Sequence, residues 1–229
     1  DGPAREVAEE VGGLFQAADV TSEEQVAARV ERAVRDCGRL DAIVNNAGLN
    51  HRGSIEKHTP RQLAQVIATN LTAPIVLTRA AMPLIERGGT IVQVASIAGM
   101  VPVPGEATYC ASKAGLRAFS RAVADDFADK DVHVGCVSPG PVDTGFLGDI
   151  EDVPDIVLSQ PMITADDVAD AVLRCIDERA EEIPLPARSG RLATMAYLLP
   201  GFAERIRPVL EKRGARNKQA ILARRRSVS

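Results

Sequence analysis

Tyr109 and Lys113 stand four residues apart in a stretch whose periodicity predicts a helix over 106–129, so their side chains share one face. That pairing has a chemical use. A free phenol titrates at about pH 10, too high for ready proton exchange at neutral pH, and an adjacent ammonium favours the phenolate. Alone, the pair fits a solvated helix face equally well. Ser96 adds a hydroxyl thirteen residues before Tyr109, closing a predicted strand in Val94-Ala95-Ser96-Ile97-Ala98-Gly99. Strand ends are where open parallel sheets hold their ligands. Asn45-Asn46-Ala47-Gly48 ends another predicted strand, Pro139-Gly140-Pro141-Val142-Asp143-Thr144 follows a third, and Asp19-Val20 ends a fourth. Asn70 lies in a long helical run with Pro74 four positions on. Proline has no N–H, so the Asn70 carbonyl is freed and should meet water or another donor. Asn70→Ala is expected to lower turnover with little change in fold.

The elements that must position these residues alternate between strand and helix, the pattern of a doubly wound parallel sheet covered on both faces. Strands are expected at Leu14 to Val20, Leu40 to Val44, Thr90 to Ala95, Val132 to Val137 and Glu182 to Leu185. Thr21 with Glu24 reads as a capping box for a helix that runs to about Cys37, where Gly38 stops it. Thr59-Pro60 opens a long buried helix through Ile75, and Thr164 with Asp167 opens another. The stretch 143–163 has no period and reads as a loop.

The bulk properties are those of one soluble globular unit. The formal net charge of -4 gives no reason to expect nucleic acid as a partner. Cys37, Cys110, Cys136 and Cys175 are scattered, and His51, His58 and His133 have no ligand spacing to them, so free thiols and no metal are expected. No apolar run reaches the roughly 18 residues of a membrane span, and no signal pattern opens the sequence. A cytoplasmic location is the default expectation.

Taken together and in order, these motifs resemble the short-chain dehydrogenase/reductase family: a D-V pair, N-N-A-G, a helix Asn, S-x-x-G, Y-x-x-x-K and P-G-x-x-x-T. The resemblance covers residues 4 to about 185 and implies a Rossmann-like fold that binds NAD or NADP. It further implies that Tyr109 is the acid in reduction and the base in oxidation. Lys113 lowers the Tyr109 pKa and binds the nicotinamide ribose, Ser96 polarises the substrate oxygen, and Asn70 positions a water that links Lys113 to solvent. Asp19 and Val20 border the adenine, Asn46, Ala47 and Gly48 line the cofactor's middle, and Pro139, Gly140, Val142 and Thr144 hold its nicotinamide end. NADP is the preferred cofactor because such enzymes often work as reductases. Relatives suggest a homodimer or homotetramer through the helices at 59–86 and 106–129. The rival expectation is a catalytically inactive binding or dimerisation module of the same fold.

Two departures matter. The family's opening strand and T-G-x-x-x-G-x-G turn, about one β-α-β unit, have no counterpart in this sequence. A fragment is the first explanation, a partner chain supplying the strands and a shortened relative the others. At the other end, residues 186–229 form a helical extension to the catalytic unit 1–185. There Leu192, Met195, Leu198, Phe202, Ile206 and Leu210 suggest two short amphipathic helices broken at Pro200-Gly201. The extension is expected to cover the substrate pocket or a second subunit. Contact with anionic lipid through Arg205, Arg207, Arg213 and the run Arg224-Arg225-Arg226 is a subordinate reading, and that final run reads first as a solvated end.

Overall fold

Four short strands form one parallel sheet in a computed structural model of the chain, which describes residues 2–226. They are β1 (Ala42–Asn45), β2 (Thr90–Val94), β3 (His133–Pro139) and β4 (Glu182–Leu185), side by side in that order. Every pairing is parallel, so all four C-terminal ends open on one side of the sheet. Residue parity separates its two faces. Ile91 and Val134 are register partners and pack with Ile85, Val123, Phe127 and Val132. Val92 and Val137 face the other way, onto Ala171, Cys175 and Ile183. Covering both faces is why β2 reads as a continuous apolar run, and all of it is buried.

The helices are α1 (Gly2–Glu10), α2 (Glu23–Cys37), α3 (Pro60–Ile67), α4 (Ala73–Ala81), α5 (Ala107–Val123), α6 (Ala165–Asp177), α7 (Ala187–Leu198) and α8 (Pro200–Arg226). On the first face α5 covers β2 and β3, while α6 covers the second. Thr59 and Thr164 open their helices as expected, and each does so through a capping box, with Gln62 and Asp167. Gly38, at φ 82°, ends α2 in the left-handed conformation that glycine adopts without strain. Among the described residues, no helix is long and apolar enough to cross a membrane.

The structure departs from the sequence expectations at three elements. Leu14 to Val20 is not a strand, and Leu14 is 66% exposed. A strand persists through hydrogen bonds to a neighbour, and this segment pairs with none of the four strands of the sheet. The start of α2 is capped by Ser22 rather than by Thr21, whose hydroxyl donates to Asp19 Oδ1 instead. The second C-terminal helix is not short: α8 runs 27 residues, straight through Pro208. Packing outweighs the lost backbone bond. Ile221 and Leu222 pack on Leu147, Ile150, Val153 and Leu158, and Asn217 Nδ2 donates to the Leu158 carbonyl at 2.8 Å. Gly214 lies so close to the Asp155 carbonyl that a Cβ would collide with it. Arg224, Arg225 and Arg226 thus close a helix, and Ser227 to Ser229 lie outside the described residues.

Candidate active site

Ser96 is the second residue past β2, in extended conformation, and its Oγ caps the short turn Ile97–Gly99 by accepting from the Ala98 amide at 3.1 Å. The same hydroxyl donates to the Pro139 carbonyl at the end of β3, 3.3 Å away. Gly99 sets the distance to α5. A Cβ there would come within 2.7 Å of the Lys113 carbonyl carbon and oxygen, so only glycine lets this turn lie on the α5 backbone. Ser96 and Tyr109 are thereby brought face to face.

Burial dominates the acid–base character of the α5 pair. Tyr109 is 8% exposed, and desolvation pushes its phenol well above its ordinary value. The Ser96 hydroxyl and the Arg52 charge oppose that rise, while Glu106 and Cys110 add to it. Lys113 is 4% exposed, and desolvation lowers its ammonium to about 8. Its Nζ donates to the Val94 carbonyl at 2.7 Å and stands 5.9 Å from the centre of the Tyr109 ring. Lys113 is thus committed to the β2 backbone, and burial outweighs any pull of the ammonium on the phenol.

Asn70 sits at the centre of a π-helical turn, Ala68–Thr72, that joins α3 to α4. Its side chain is fully buried and spent on three bonds. Oδ1 accepts from the Leu49 amide at 2.7 Å, and Nδ2 donates to the Leu49 carbonyl at 2.8 Å and to Ser112 Oγ at 3.1 Å. Asn70 therefore fixes the loop after Asn46-Ala47-Gly48 to the helix that carries Tyr109. The expectation of little change in fold on its removal does not fit this role, since buried Ser112 and the half-buried Leu49 amide and carbonyl would lose their bonds.

A single cavity of about 1510 Å³ takes in Ser96, Tyr109 and Lys113. Asn46 and Gly48 line it from the end of β1, and Pro139, Gly140, Val142 and Thr144 from the end of β3. Ala47, between Asn46 and Gly48, is exposed and is not part of the lining. Asp19 and Val20 are not brought to this cavity. Asp19 is exposed, its carboxylate held by Thr21, and it lines a separate shallow depression with Phe15, Gln25 and Arg29. Leu14 to Val20 pairs with no strand of the sheet, and these two residues lie away from Ser96, Tyr109 and Lys113.

The residues around Gly48 leave room for part of a dinucleotide. A Cβ at Gly48 would stand 3.6 Å from Asn70 Oδ1 and 3.8 Å from both Lys113 Nζ and Phe146 Cε2, so the bare backbone leaves a cradle beside polar groups. Phe146 leans over it, its ring centre 6.2 Å from that of Tyr109.

Phe146 is held there by a cluster that local sequence patterns did not reveal. Arg52 Nε donates to Glu106 Oε1 at 2.8 Å, and Asn50 Nδ2 to the same oxygen at 3.2 Å. Arg52 Nη1 donates to the Leu147 carbonyl at 2.6 Å. The pair is largely buried, with side chains 14% and 5% exposed. Three segments meet on it: the loop after β1, the start of α5 and the turn Gly145–Leu147. Partners 54 and 95 residues apart leave no local signal. The available cue was two charges flanking the motifs, four residues after Gly48 and three before Tyr109.

The description "short chain dehydrogenase" matches residues 1–154. The chain belongs to the short-chain dehydrogenase family. Among curated relatives it is 33% identical over 140 residues to the 3-oxoacyl-[acyl-carrier-protein] reductase FabG of Chlamydia muridarum, covering 60% of this chain and 56% of that protein. It is 34% identical over 149 residues to 2,5-dichloro-2,5-cyclohexadiene-1,4-diol dehydrogenase LinX of Sphingobium indicum, 64% of this chain and 59% of that one. The same identity over 149 residues relates it to inactive 2-(S)-hydroxypropyl-CoM dehydrogenase 2 of Xanthobacter autotrophicus, 63% of this chain and 65% of that one. The chain spans less than two thirds of the length of each. This short-chain dehydrogenase matches the family through the strands and helices that carry Ser96, Tyr109 and Lys113. Its α6, α7 and α8 lie beyond the matched segment.

Proposed function

We propose that the chain is the catalytic part of an oxidoreductase that transfers a hydride between a nicotinamide cofactor and a carbonyl or secondary alcohol. The observation that carries the reading is one cavity on which Ser96, Tyr109 and Lys113 converge with the loops that end β1 and β3. When bound, the nicotinamide supplies or accepts the hydride. Pro139, Gly140, Val142 and Thr144 would hold that end of the cofactor, Asn46 and Gly48, with Ala47 between them outside the cavity lining, would border its middle, and Asp19 and Val20 its adenine. NADP is preferred over NAD for a reductase.

Tyr109 gives its phenolic proton to the substrate oxygen in reduction and takes it back in oxidation. Burial keeps the phenol protonated, which suits the reductive direction. The Ser96 hydroxyl donates to the same substrate oxygen, turning from its acceptor at Pro139. Lys113, with its proton labile near pH 8, binds the nicotinamide ribose and resupplies Tyr109. The Asn70 side chain is occupied, so its part in that resupply falls to its backbone carbonyl, freed by Pro74.

Residues 1–185 form the catalytic unit in this reading, and 186–229 the extension that shapes the substrate site. Leu192, Ala196, Ile206 and Leu210 of that extension line the cavity, which favours a lipophilic carbonyl or alcohol. Assembly into a homodimer or homotetramer through α3, α4 and α5 completes the proposal.

Two measurements test it. Calorimetric titration with NADPH and with NADH should give saturable binding, tighter for NADPH. Tyr109→Phe should lower turnover by about a thousandfold while sparing cofactor affinity. Full activity in that variant would remove Tyr109 as the proton donor. Binding without turnover of any carbonyl would favour the inactive module.

A further inference from the structure

Charge is divided unevenly along the chain. Residues 187–229 hold eleven basic and two acidic side chains, whereas the chain as a whole has 27 basic and 31 acidic ones. A protein acidic overall thus ends in a strongly basic pair of helices. Arg188, Arg191, Arg205, Lys212, Arg213 and Arg216 are exposed, and no acidic side chain among the described residues pairs with them.

The same outer surface is apolar where the two helices meet. Met195 is 49% exposed, Tyr197 66%, Leu198 69% and Leu199 54%, and Val209 on α8 is 68% exposed. Helical spacing puts these groups in register with the cations. Arg188, Arg191, Met195 and Leu198 follow one face of α7, and Arg205, Val209, Lys212, Arg213 and Arg216 one face of α8. The corner borders the substrate cavity, since Tyr197, though largely exposed, forms part of its lining.

We infer that the outer face of α7 and α8 docks on an anionic lipid surface, with Tyr197, Leu198 and Leu199 entering the interface. Basic side chains around a protruding apolar corner are the composition that binds at a lipid headgroup boundary. A second copy placed face to face would set this basic surface against itself. Nucleic acid would satisfy the cations but would leave the leucines in water. Docking this way would bring that border of the cavity against the bilayer, so that a lipophilic substrate passes from lipid to Tyr109 without crossing water. That last step rests on the proposed carbonyl or alcohol chemistry; docking itself does not.

Co-sedimentation of the whole chain with vesicles reads docking alone, whatever the enzyme assays give. Phosphatidylcholine vesicles containing phosphatidylserine should carry the chain down, less so as salt rises, and pure phosphatidylcholine should not. Met195→Ser/Leu198→Ser/Leu199→Ser changes exposed side chains that do not line the cavity, and it should weaken binding by roughly tenfold with an unaltered circular dichroism spectrum. Arg205→Glu/Arg213→Glu should weaken it as well. Failure of the intact chain to sediment would overturn the inference. So would undiminished sedimentation of the triple serine variant, or tighter retention on short duplex DNA than on the vesicles.

Discussion

Burial acts on Tyr109 and Lys113 in the same direction: it favours the neutral form of each, raising the acid and lowering the base. For Lys113 the consequence is measurable as stability. In the unfolded chain the lysine keeps its proton to about pH 10.5, whereas in the folded chain it releases it at about 8. Between those values the unfolded state binds more protons, so stability rises with pH. Cys136, raised by burial from 9.0 to about 11, opposes that rise above pH 9. The clean window is pH 8 to 9, where urea denaturation should show a gain of about 1 kcal/mol. In Lys113→Met that gain should vanish. The Arg52–Glu106 pair gives a second expectation at this scale. Arg52→Ala leaves a carboxylate that is 5% exposed without its cation and should cost about 3 kcal/mol or more. Arg52→Met/Glu106→Leu should recover most of that stability in thermal melts. Turnover should stay low in both, because the Leu147 carbonyl has lost the donor that holds Phe146 in place.

Among the elements, the π-helical turn at Ala68–Thr72 has the sharpest consequence. Pro74 marked the place in the sequence, since a residue without an N–H must disturb the ladder four positions back. The sequence could not reveal which group the displaced turn would present to which loop. It presents Asn70 to both backbone polar groups of Leu49 and to Ser112. Asn70→Ala should cost about 2 kcal/mol by urea denaturation, because buried Ser112 and the half-buried Leu49 groups lose their partner. Asn70→Ser, too short to span the same gap, should recover little. The Ser96 turn and α5 were legible for the opposite reason: S-x-x-G and Y-x-x-x-K are short patterns whose geometry follows from a strand end and a helix period. Leu14 to Val20 had the composition of a strand, yet strand formation is decided by a neighbour, and composition carries no record of one.

At the scale of the whole molecule, the layering was readable because the apolar runs separated by helical periods, of which four of the five expected became strands, admit few arrangements with both faces covered. The convergence of the C-terminal ends of β1, β2 and β3 on one cavity followed from parallel pairing. The Arg52–Glu106–Leu147 cluster was not readable, since it exists only through tertiary contacts across the full depth of the site. Nor was the reach of α8, whose helical run past Pro208 depends on its packing against residues 147–158.

The wall of the cavity formed by α7 and α8 joins the rest of the chain at a single point after β4, while Ser96, Tyr109 and Lys113 all precede it. In the proposed reading, selectivity and reactivity therefore lie on opposite sides of one junction in the chain. A graft after Pro186 that kept the contacts of α8 with residues 147–158 would exchange the surface proposed to meet the substrate's far end and leave the proposed proton donor in place. A lineage could retarget that donor to a new compound by recombination at one site, with matching changes only where α8 packs.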